Sequence, residues 1–292
     1  MNNKIGFHVS IAGGIHNAVD NALKIGCNSF QIFTRNPRGW KEKILDSDDV
    51  DAFKSRLRNT GISIDDVAVH MPYLPNLSAP KSELYEKSIC SLTNEIIRCS
   101  KLGIKFLVIH LGSHLGSGTE NGISQLINSC NVATEKFKYN QNNNPLVTIL
   151  LENSAGQKNS IGSSLEELKI ILDKLSSKNY GICIDTCHAY VAGYDLHNVE
   201  TCREFIEKLF NIIGRDKLKL IHLNDSKGDL NSHLDRHEHI GLGKIGLHGI
   251  ATFINDEKLK NVPMIMETPV DSIRNNHGNL MVVMKLMKKQ DS

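Results

Sequence analysis

Short runs of apolar and β-branched residues recur along the chain at 4–9 (KIGFHV), 28–33 (NSFQIF), 66–70 (DVAVH), 106–110 (FLVIH), 147–153 (VTILLEN), 180–186 (YGICIDT), 218–224 (LKLIHLN) and 263–268 (PMIMET). Near-continuous apolar runs of this length predict strands buried on both faces. Between them apolar positions return every three or four residues, most plainly at 18–26, 92–103, 165–175 and 202–214, and several of these stretches close on glycine, as helices do. Strand and helix thus alternate eight times in 292 residues, about 36 residues per repeat. The pattern predicts an α/β fold, a single (β/α)8 TIM barrel over residues 1–292. A doubly wound open sheet also alternates, but it places a Gly-rich phosphate loop after an early strand, and AGG at 12–14 is too weak to serve. No Pro/Ser-rich linker divides the chain, and the polar patch at 140–145 (NQNNNP) reads as a loop between helix and strand.

Composition narrows the class. A hydrophobic content of 40% supports a sizeable core and excludes disorder as the main state. Lys and Arg number 34 against 32 Asp and Glu, a formal +2, so contact with nucleic acid must be local rather than spread over the surface. The seven cysteines (27, 90, 99, 130, 183, 187, 202) are odd in number and form no C-x-x-C pair, which fits reduced thiols in the cytoplasm. The start, MNNKIGFHVS, has no apolar signal core, and no apolar run approaches a membrane span. Thirteen histidines beside one tryptophan are the unusual count.

In a barrel the carboxyl ends of the strands converge on one face, so those positions hold the chemistry. His70 ends the third run, His110 the fourth, Glu152 the fifth, Asp185 the sixth with His188 just beyond, His222 the seventh and Glu267 the eighth. Asp235 and His237 follow in the loop after the seventh. Four carboxylates in one pocket would repel each other and lose hydration, so cations are needed to hold them. Imidazole and carboxylate without thiolate suit zinc, with manganese or iron as competitors. Nine ligands exceed one ion, and with Glu152 as a bridge they can serve three, whose combined charge leaves a surplus to attract a phosphate. Asp235-x-His237 places both side chains on one side of an extended segment, and Asp185-x-x-His188 lets a strand end and its following turn face one pocket.

The other histidines carry blander readings. His8 ends the first run and is either an outer partner of the ligands or a satisfied pocket histidine. His114 holds a loop or touches phosphate. His16, His197, His248 and His277 are expected at the surface, and His233 and His239 flank the Asp235/His237 pair as its nearest confounders.

These residues carry a resemblance. The segments GFHVSIAGG (6–14), FTRNPRGW (33–40), HMPYLPNL (70–77), VIHLGSH (108–114), LLENSAGQ (150–157), IDTCHAYVAGYDL (184–196), IHLNDSK (221–227), DRHEHIGLGKIG (235–246) and METP (266–269) resemble the endonuclease IV family of apurinic/apyrimidinic (AP) endonucleases over essentially the full length. The resemblance implies a trinuclear zinc site: His70 and His110 on one ion, Asp185, His222 and Glu267 on a second, His188, Asp235 and His237 on a third, and Glu152 bridging the first two. It implies hydrolysis of the phosphodiester 5′ to an abasic site in duplex DNA, leaving a 3′-hydroxyl and a 5′-deoxyribose phosphate, with trimming of blocked 3′ ends as a companion activity. Ions of this kind neutralise both attacking and leaving oxygens, so no protein nucleophile is required, and Glu152 orients or deprotonates the attacking water. Arg38, Tyr73 and Leu74 match positions that wedge into the duplex, where a nucleotide without a base is easier to flip than an intact one. The alternative for Tyr73 and Leu74 is a plug under the barrel mouth.

A positive rim of Arg35, Arg38, Lys158, Lys227, Arg236 and Lys244 is expected to meet the DNA backbone. Met71-Pro72 departs from the family pattern, which leads one to expect more polar residues after the first ligand. The implied protein is a cytoplasmic monomer, associated with the nucleoid if prokaryotic, and without contact to membrane. The strongest rival is a divalent-metal sugar isomerase or epimerase on a related barrel, which needs fewer ligands, a Lys or Glu base and a closed pocket, and has no use for a wedge at the rim. A silent metal or DNA binder would show a lost ligand, and none is missing.

Overall fold

The computed structural model describes residues 3–140, 147–175 and 179–287, so nearly all of the polar patch at 140–145 lies outside the described residues. Each of the eight apolar runs becomes a strand: β1 (Ile5–His8), β2 (Ser29–Ile32), β3 (Val67–His70), β4 (Phe106–His110), β5 (Thr148–Glu152), β6 (Tyr180–Asp185), β7 (Leu218–His222) and β10 (Met264–Met266). They close into a parallel barrel in the order β1-β10-β7-β6-β5-β4-β3-β2. Two further two-residue strands, β8 (Asp225–Ser226) and β9 (His237–Glu238), pair antiparallel over the mouth. They have no apolar run to announce them.

The outer layer is helical: α1 (Asn17–Ile25), α2 (Ser47–Arg58), α3 (Glu83–Leu102), α4 (Thr119–Asn140), α5 (Leu165–Lys174), α6 (Thr186–Val191), α7 (Val199–Ile213), α8 (Gly246–Ile254) and α9 (Asn276–Leu286). Local chemistry sets their ends. Asp46, Ser82, Ser164 and Asn198 cap α2, α3, α5 and α7 through side-chain oxygens that accept backbone N–H bonds, and Gly26 and Gly103 close α1 and α3 in the left-handed conformation.

The two-residue period of a strand sorts the core into two parts. Outward positions such as Val69, Leu107, Ile109, Leu151, Ile182 and Ile184 join the large cluster between strands and helices. Inward positions Ala68, Val108, Leu150, Cys183, Leu220 and Ile265 pack against one another along the barrel axis. One pleat further along each of these six strands, the next inward position is His70, His110, Glu152, Asp185, His222 or Glu267. An apolar plug thus forms the floor on which a polar layer rests.

The loop from Phe33 to Asp46 is fixed by buried charge. Glu95 on α3 accepts from Thr34 Oγ1 at 2.6 Å and Arg35 Nε at 2.8 Å, while Arg98 donates to Thr34 Oγ1 at 2.7 Å and to the Lys43 carbonyl at 2.9 Å. Burial pushes the Glu95 carboxyl up, and the Thr34 hydroxyl and Arg35 guanidinium pull it back toward the ionised form. Truncating Glu95 to Ala should cost roughly 3–5 kcal/mol, because it removes the buried counter-charge of Arg35 and Arg98 and leaves them only the more exposed Glu42, 3.5 Å from Arg35. Denaturant unfolding of the Glu95→Ala protein measures this, and a loss below about 1 kcal/mol would mean that water replaces the carboxylate.

Candidate metal centre

Three kinds of local structure bring the nine candidate ligands together. His70, His110, Glu152, Asp185 and His222 each end a barrel strand, and Glu267 follows β10 directly, so the pleat alone turns six side chains toward the axis. Asp185 is also the N-cap of α6, where its Oδ1 accepts the His188 backbone N–H at 2.9 Å. The Asp185-x-x-His188 spacing is therefore a helix start rather than a plain turn, and it lays the His188 ring over the mouth. Asp235 and His237 arrive on the β8–β9 hairpin.

Glu152 is the hub. Its Oε2 lies 3.1 Å from His70 Nε2 and 3.2 Å from His110 Nε2, while its Oε1 lies 2.9 Å from His222 Nδ1. His222 Nδ1 is in turn 3.5 Å from Glu267 Oε2 and 3.9 Å from Asp185 Oδ2. On the far side His188 Nε2 is 3.3 Å from Asp235 Oδ1, and His237 Nε2 is 3.5 Å from Asp185 Oδ2. Donor atoms gather within 4.8 Å of one another in the sets His70/His110/Glu152, Glu152/Asp185/His222/Glu267 and Asp185/His188/His237, with a further set of Cys187, Asp235 and His237. Asp185 belongs to two of these, closer to the third group than the sequence suggested.

Four of the five histidines are held by a hydrogen bond from one ring nitrogen to a carbonyl or amide oxygen. Nδ1–H of His70 donates to the Met71 carbonyl at 2.7 Å, that of His188 to the Asn153 carbonyl at 2.9 Å and that of His237 to the Glu267 carbonyl at 3.1 Å, while Nε2–H of His222 donates to Gln31 Oε1 at 3.0 Å. Each bond fixes a tautomer whose remaining lone pair points inward, as metal-binding imidazoles require. His237 Nε2 is buried without a hydrogen-bond partner among the described residues. Such an orphan is costly in a finished site, and a cation between it and the Asp185 and Asp235 carboxylates would satisfy it. The residues present fit divalent ions.

Sequence reasoning passed over the residues that orient these ligands. Gln31 accepts from His222 and donates Nε2–H to Glu267 Oε1 at 2.8 Å, and Asn224 donates to Asp185 Oδ2 at 2.7 Å while accepting the Glu267 N–H at 2.8 Å. The signal for Gln31 was present: Ser29 and Gln31 in NSFQIF fall at alternate positions, so Gln31 is the last inward residue of β2, paired with His8 on β1 and Ala68 on β3. His8 occupies the same level on β1, with Nδ1 3.2 Å from Glu267 Oε1. It is an outer partner, and burial holds its pKa below the ordinary value against the pull of Glu267.

Electrostatics favour ionised carboxylates. Burial opposes charge on Glu152, yet His222 and His110 outweigh it and hold its carboxyl well below the usual range, and His222 and His8 do the same for Glu267. Burial likewise opposes charge on His222 and His188, but the neighbouring Cys183, Glu267 and Glu152 around the former and Asp185 and Asp235 around the latter leave both well above the usual imidazole value. Protons thus occupy the places cations would take, and metal binding must displace them.

Beside the cluster a cavity of about 280 Å³ opens between Tyr73, Leu74, His110, Lys158, His188 and Asp235. Tyr73 and Leu74 stand on its edge, 54% and 38% exposed, too open to be a plug under the mouth. Burial of the phenol and the Glu267 carboxylate push the Tyr73 hydroxyl up to about 12, so it stays neutral. Its backbone N–H donates to the Pro37 carbonyl at 3.3 Å, which ties the Tyr73 loop to the one carrying exposed Arg38. Met71-Pro72 finds its explanation here: Met71 continues the strand, with its N–H bonded to the Val108 carbonyl at 2.9 Å and its side chain in the core. Arg35 is a correction to the expected rim, since it is buried and bound to Glu95 and Ser91, while Arg38, Lys158, Lys227, Arg236 and Lys244 remain exposed.

The other histidines divide. His197, His248 and His277 are exposed as expected, whereas His16 is half-buried against Asp49. His114 Nδ1 accepts N–H bonds from Gly116 and Gly118 and so holds its loop. His233 donates to the Ala155 carbonyl and buried His239 pairs with Asp271 at 3.0 Å, so neither belongs to the cluster.

The chain matches, over residues 19–290, the AP endonuclease 2 family model, described as a xylose isomerase-like TIM barrel. It is 48% identical to a probable endonuclease 4 of Nitrosopumilus maritimus, covering 95% of this chain and 97% of that one, and 47% identical to a probable endonuclease 4 of Methanoculleus marisnigri, covering 97% and 98%. The crystal structure of endonuclease IV from Thermus thermophilus superposes with a TM-score of 0.85 at 32% identity, over 97% of this chain and 98% of that one. A D-tagatose 3-epimerase-like protein, at 20% identity and a TM-score of 0.65, shares the fold alone. The chain therefore belongs to the endonuclease IV family of AP endonucleases.

Proposed function

We propose that this protein hydrolyses the phosphodiester on the 5′ side of abasic sites in duplex DNA, leaving a 3′-hydroxyl and a 5′-deoxyribose phosphate, and that it trims blocked 3′ ends with the same site. The observation that carries this reading is the convergence of nine imidazole and carboxylate ligands around Glu152, beside a cavity edged by exposed Tyr73 and Leu74. His70 and His110 would hold one zinc ion, Asp185, His222 and Glu267 a second, and His188, Asp235 and His237 a third, with manganese or iron able to substitute. Bound there, such ions lower the pKa of water and neutralise charge on the attacking and leaving oxygens.

The chain's own residues do the rest. Glu152 presents Oε2 to the His70/His110 pair and Oε1 to His222, the disposition a bridging carboxylate needs, and from there it orients the attacking water or takes its proton. Arg38, Tyr73 and Leu74 wedge into the duplex and present the abasic nucleotide to the cavity, with the protein acting as a monomer. Lys158, Lys227, Arg236 and Lys244 meet the phosphates. A sugar epimerase would gain nothing from partly exposed apolar and aromatic side chains at the rim.

Purified protein should hold about three divalent ions per chain, mostly zinc. Chelation should abolish cleavage of a duplex with one abasic analogue and added zinc should restore it, whereas elemental analysis giving one tightly held ion in an active chain would favour the isomerase reading. Glu152→Gln should lower turnover by two or more orders of magnitude while duplex binding stays near wild type, because it removes the bridging charge and no rim contact. Near-normal turnover in a metal-replete Glu152→Gln protein would remove the residue from the mechanism. Replacing Arg38, Tyr73 and Leu74 together by Ala should leave the ions bound and a small activated phosphodiester still hydrolysed, while abasic duplex cleavage drops by roughly 100-fold or more, the contacts that offset a deformation of a few kcal/mol being lost. Equal cleavage of abasic duplex by the triple variant would refute the wedge.

A further inference from the structure

Residues 241–246 read Gly-Leu-Gly-Lys-Ile-Gly, the spacing of a loop that wraps an anion ahead of a helix, and α8 begins at Gly246. The anion in this nest is internal. The carboxylate of Asp225 accepts N–H bonds from Gly241 at 2.8 Å and Gly243 at 3.1 Å on Oδ2, and from Ile245 at 3.0 Å, Gly246 at 3.2 Å and Ser226 at 2.8 Å on Oδ1. Asp225 is fully buried. The glycines are needed: Gly241 and Gly246 have φ of 80° and 70°, and a Cβ on Gly243 would collide with Asp225 Oδ1 and the Ser226 carbonyl oxygen.

The nest lies immediately after the hairpin that carries Asp235 and His237. In the β8–β9 pairing Asp225 faces Glu238 and Ser226 faces His237, and a ladder of two residues a side is too short to persist alone. Besides it, bonds from several directions tie this segment, among them the Lys227 N–H to the Arg236 carbonyl, the Lys244 N–H to the Ser226 carbonyl, the Ile240 N–H to Asn279 Oδ1, His237 Nδ1–H to the Glu267 carbonyl, His239 to Asp271 and Arg274 to the Ile240 carbonyl. Asp225 adds four N–H bonds to it from a single carboxylate, and it does so from the residue after Asn224, which itself holds Asp185 and Glu267. We propose that Asp225, seated as an internal anion in the 241–246 nest, is a positioning residue for the His188/Asp235/His237 ion. This rests on the three-ion reading above. Loss of the carboxylate frees the hairpin, Asp235 and His237 lose their register over the mouth, and the other two ions keep their strand-borne ligands.

The experiment compares wild type and Asp225→Ala after zinc loading and gel filtration, with and without formate, a carboxylate small enough for the gap that alanine leaves. Zinc per chain, kcat and KM on abasic duplex, and amide exchange at 241, 243, 245 and 246 are read together. Wild type should hold three ions and Asp225→Ala two, with kcat lowered about 10- to 100-fold, the usual effect of losing an outer partner of a metal ligand, and KM changed less. Formate, and not chloride at equal ionic strength, should restore the third ion, the turnover and the amide protection. Three ions and wild-type kcat in Asp225→Ala would overturn the inference, as would a natively folded variant that formate does not rescue. If Asp225→Ala does not fold, Gly243→Ala strains the same nest from the other side and should lose the same ion, and three retained ions there would overturn it equally. A wild-type protein with fewer than three ions would sink the three-ion reading instead, and the nest would then stand or fall on the amide exchange and its rescue by formate.

Discussion

Everything at the mouth of this barrel depends on how Glu152 is compensated. Its carboxylate is buried, both oxygens face imidazoles from other strands, and Asp185, Asp235 and Glu267 crowd the same space. Within the cluster the acidic groups hold the pKa values of His222 and His188 up, and the imidazoles hold those of Glu152 and Glu267 down. That arrangement leaves the His237 Nε2 atom without a hydrogen-bond partner among the described residues. Divalent ions remove the protons and satisfy the orphan, so the same constraint that makes the site costly as plain protein makes it a strong metal host.

Preorganisation comes from outside the cluster. Gln31 and Asn224 set ligand orientation by bonding two ligands each, and backbone carbonyls of Met71, Asn153 and Glu267 fix three imidazoles. The loops that carry Arg38, Tyr73 and Leu74 are braced in a similar way. Asn76 accepts from the Ser113 N–H at 2.9 Å and donates to its carbonyl at 3.0 Å, joining the loop of Tyr73 and Leu74 to the one after His110. Arg35, bonded to Glu95, and Arg98, bonded to Thr34 and the Lys43 carbonyl, hold the loop of Arg38 on α3. The proposed wedge and the metal-capable cluster are thus separate structures on a shared rigid base.

The barrel and six of the candidate ligands were legible in the sequence because one rule governs both: strands of near-continuous apolar residues, with the last inward pleat left polar. The same rule would have found Gln31 and His8 had every strand been read at that level. What could not be read is what depends on tertiary partners. Arg35 looks like a rim cation until Glu95, sixty residues away, is seen beneath it. His239 sits next to a candidate ligand and serves Asp271 instead. β8 and β9 are two residues each and polar, so no periodicity reveals the hairpin that delivers Asp235 and His237.

The central claim is that three ions sit among nine side chains with Glu152 between two of them. Diffraction from crystals of the untreated protein, recorded on both sides of the zinc absorption edge, tests this at atomic positions. The account predicts three anomalous peaks, two flanking the Glu152 carboxylate near His70/His110 and near Asp185/His222/Glu267, and a third within reach of His188, Asp235 and His237. A single peak, or peaks away from Glu152, would contradict it.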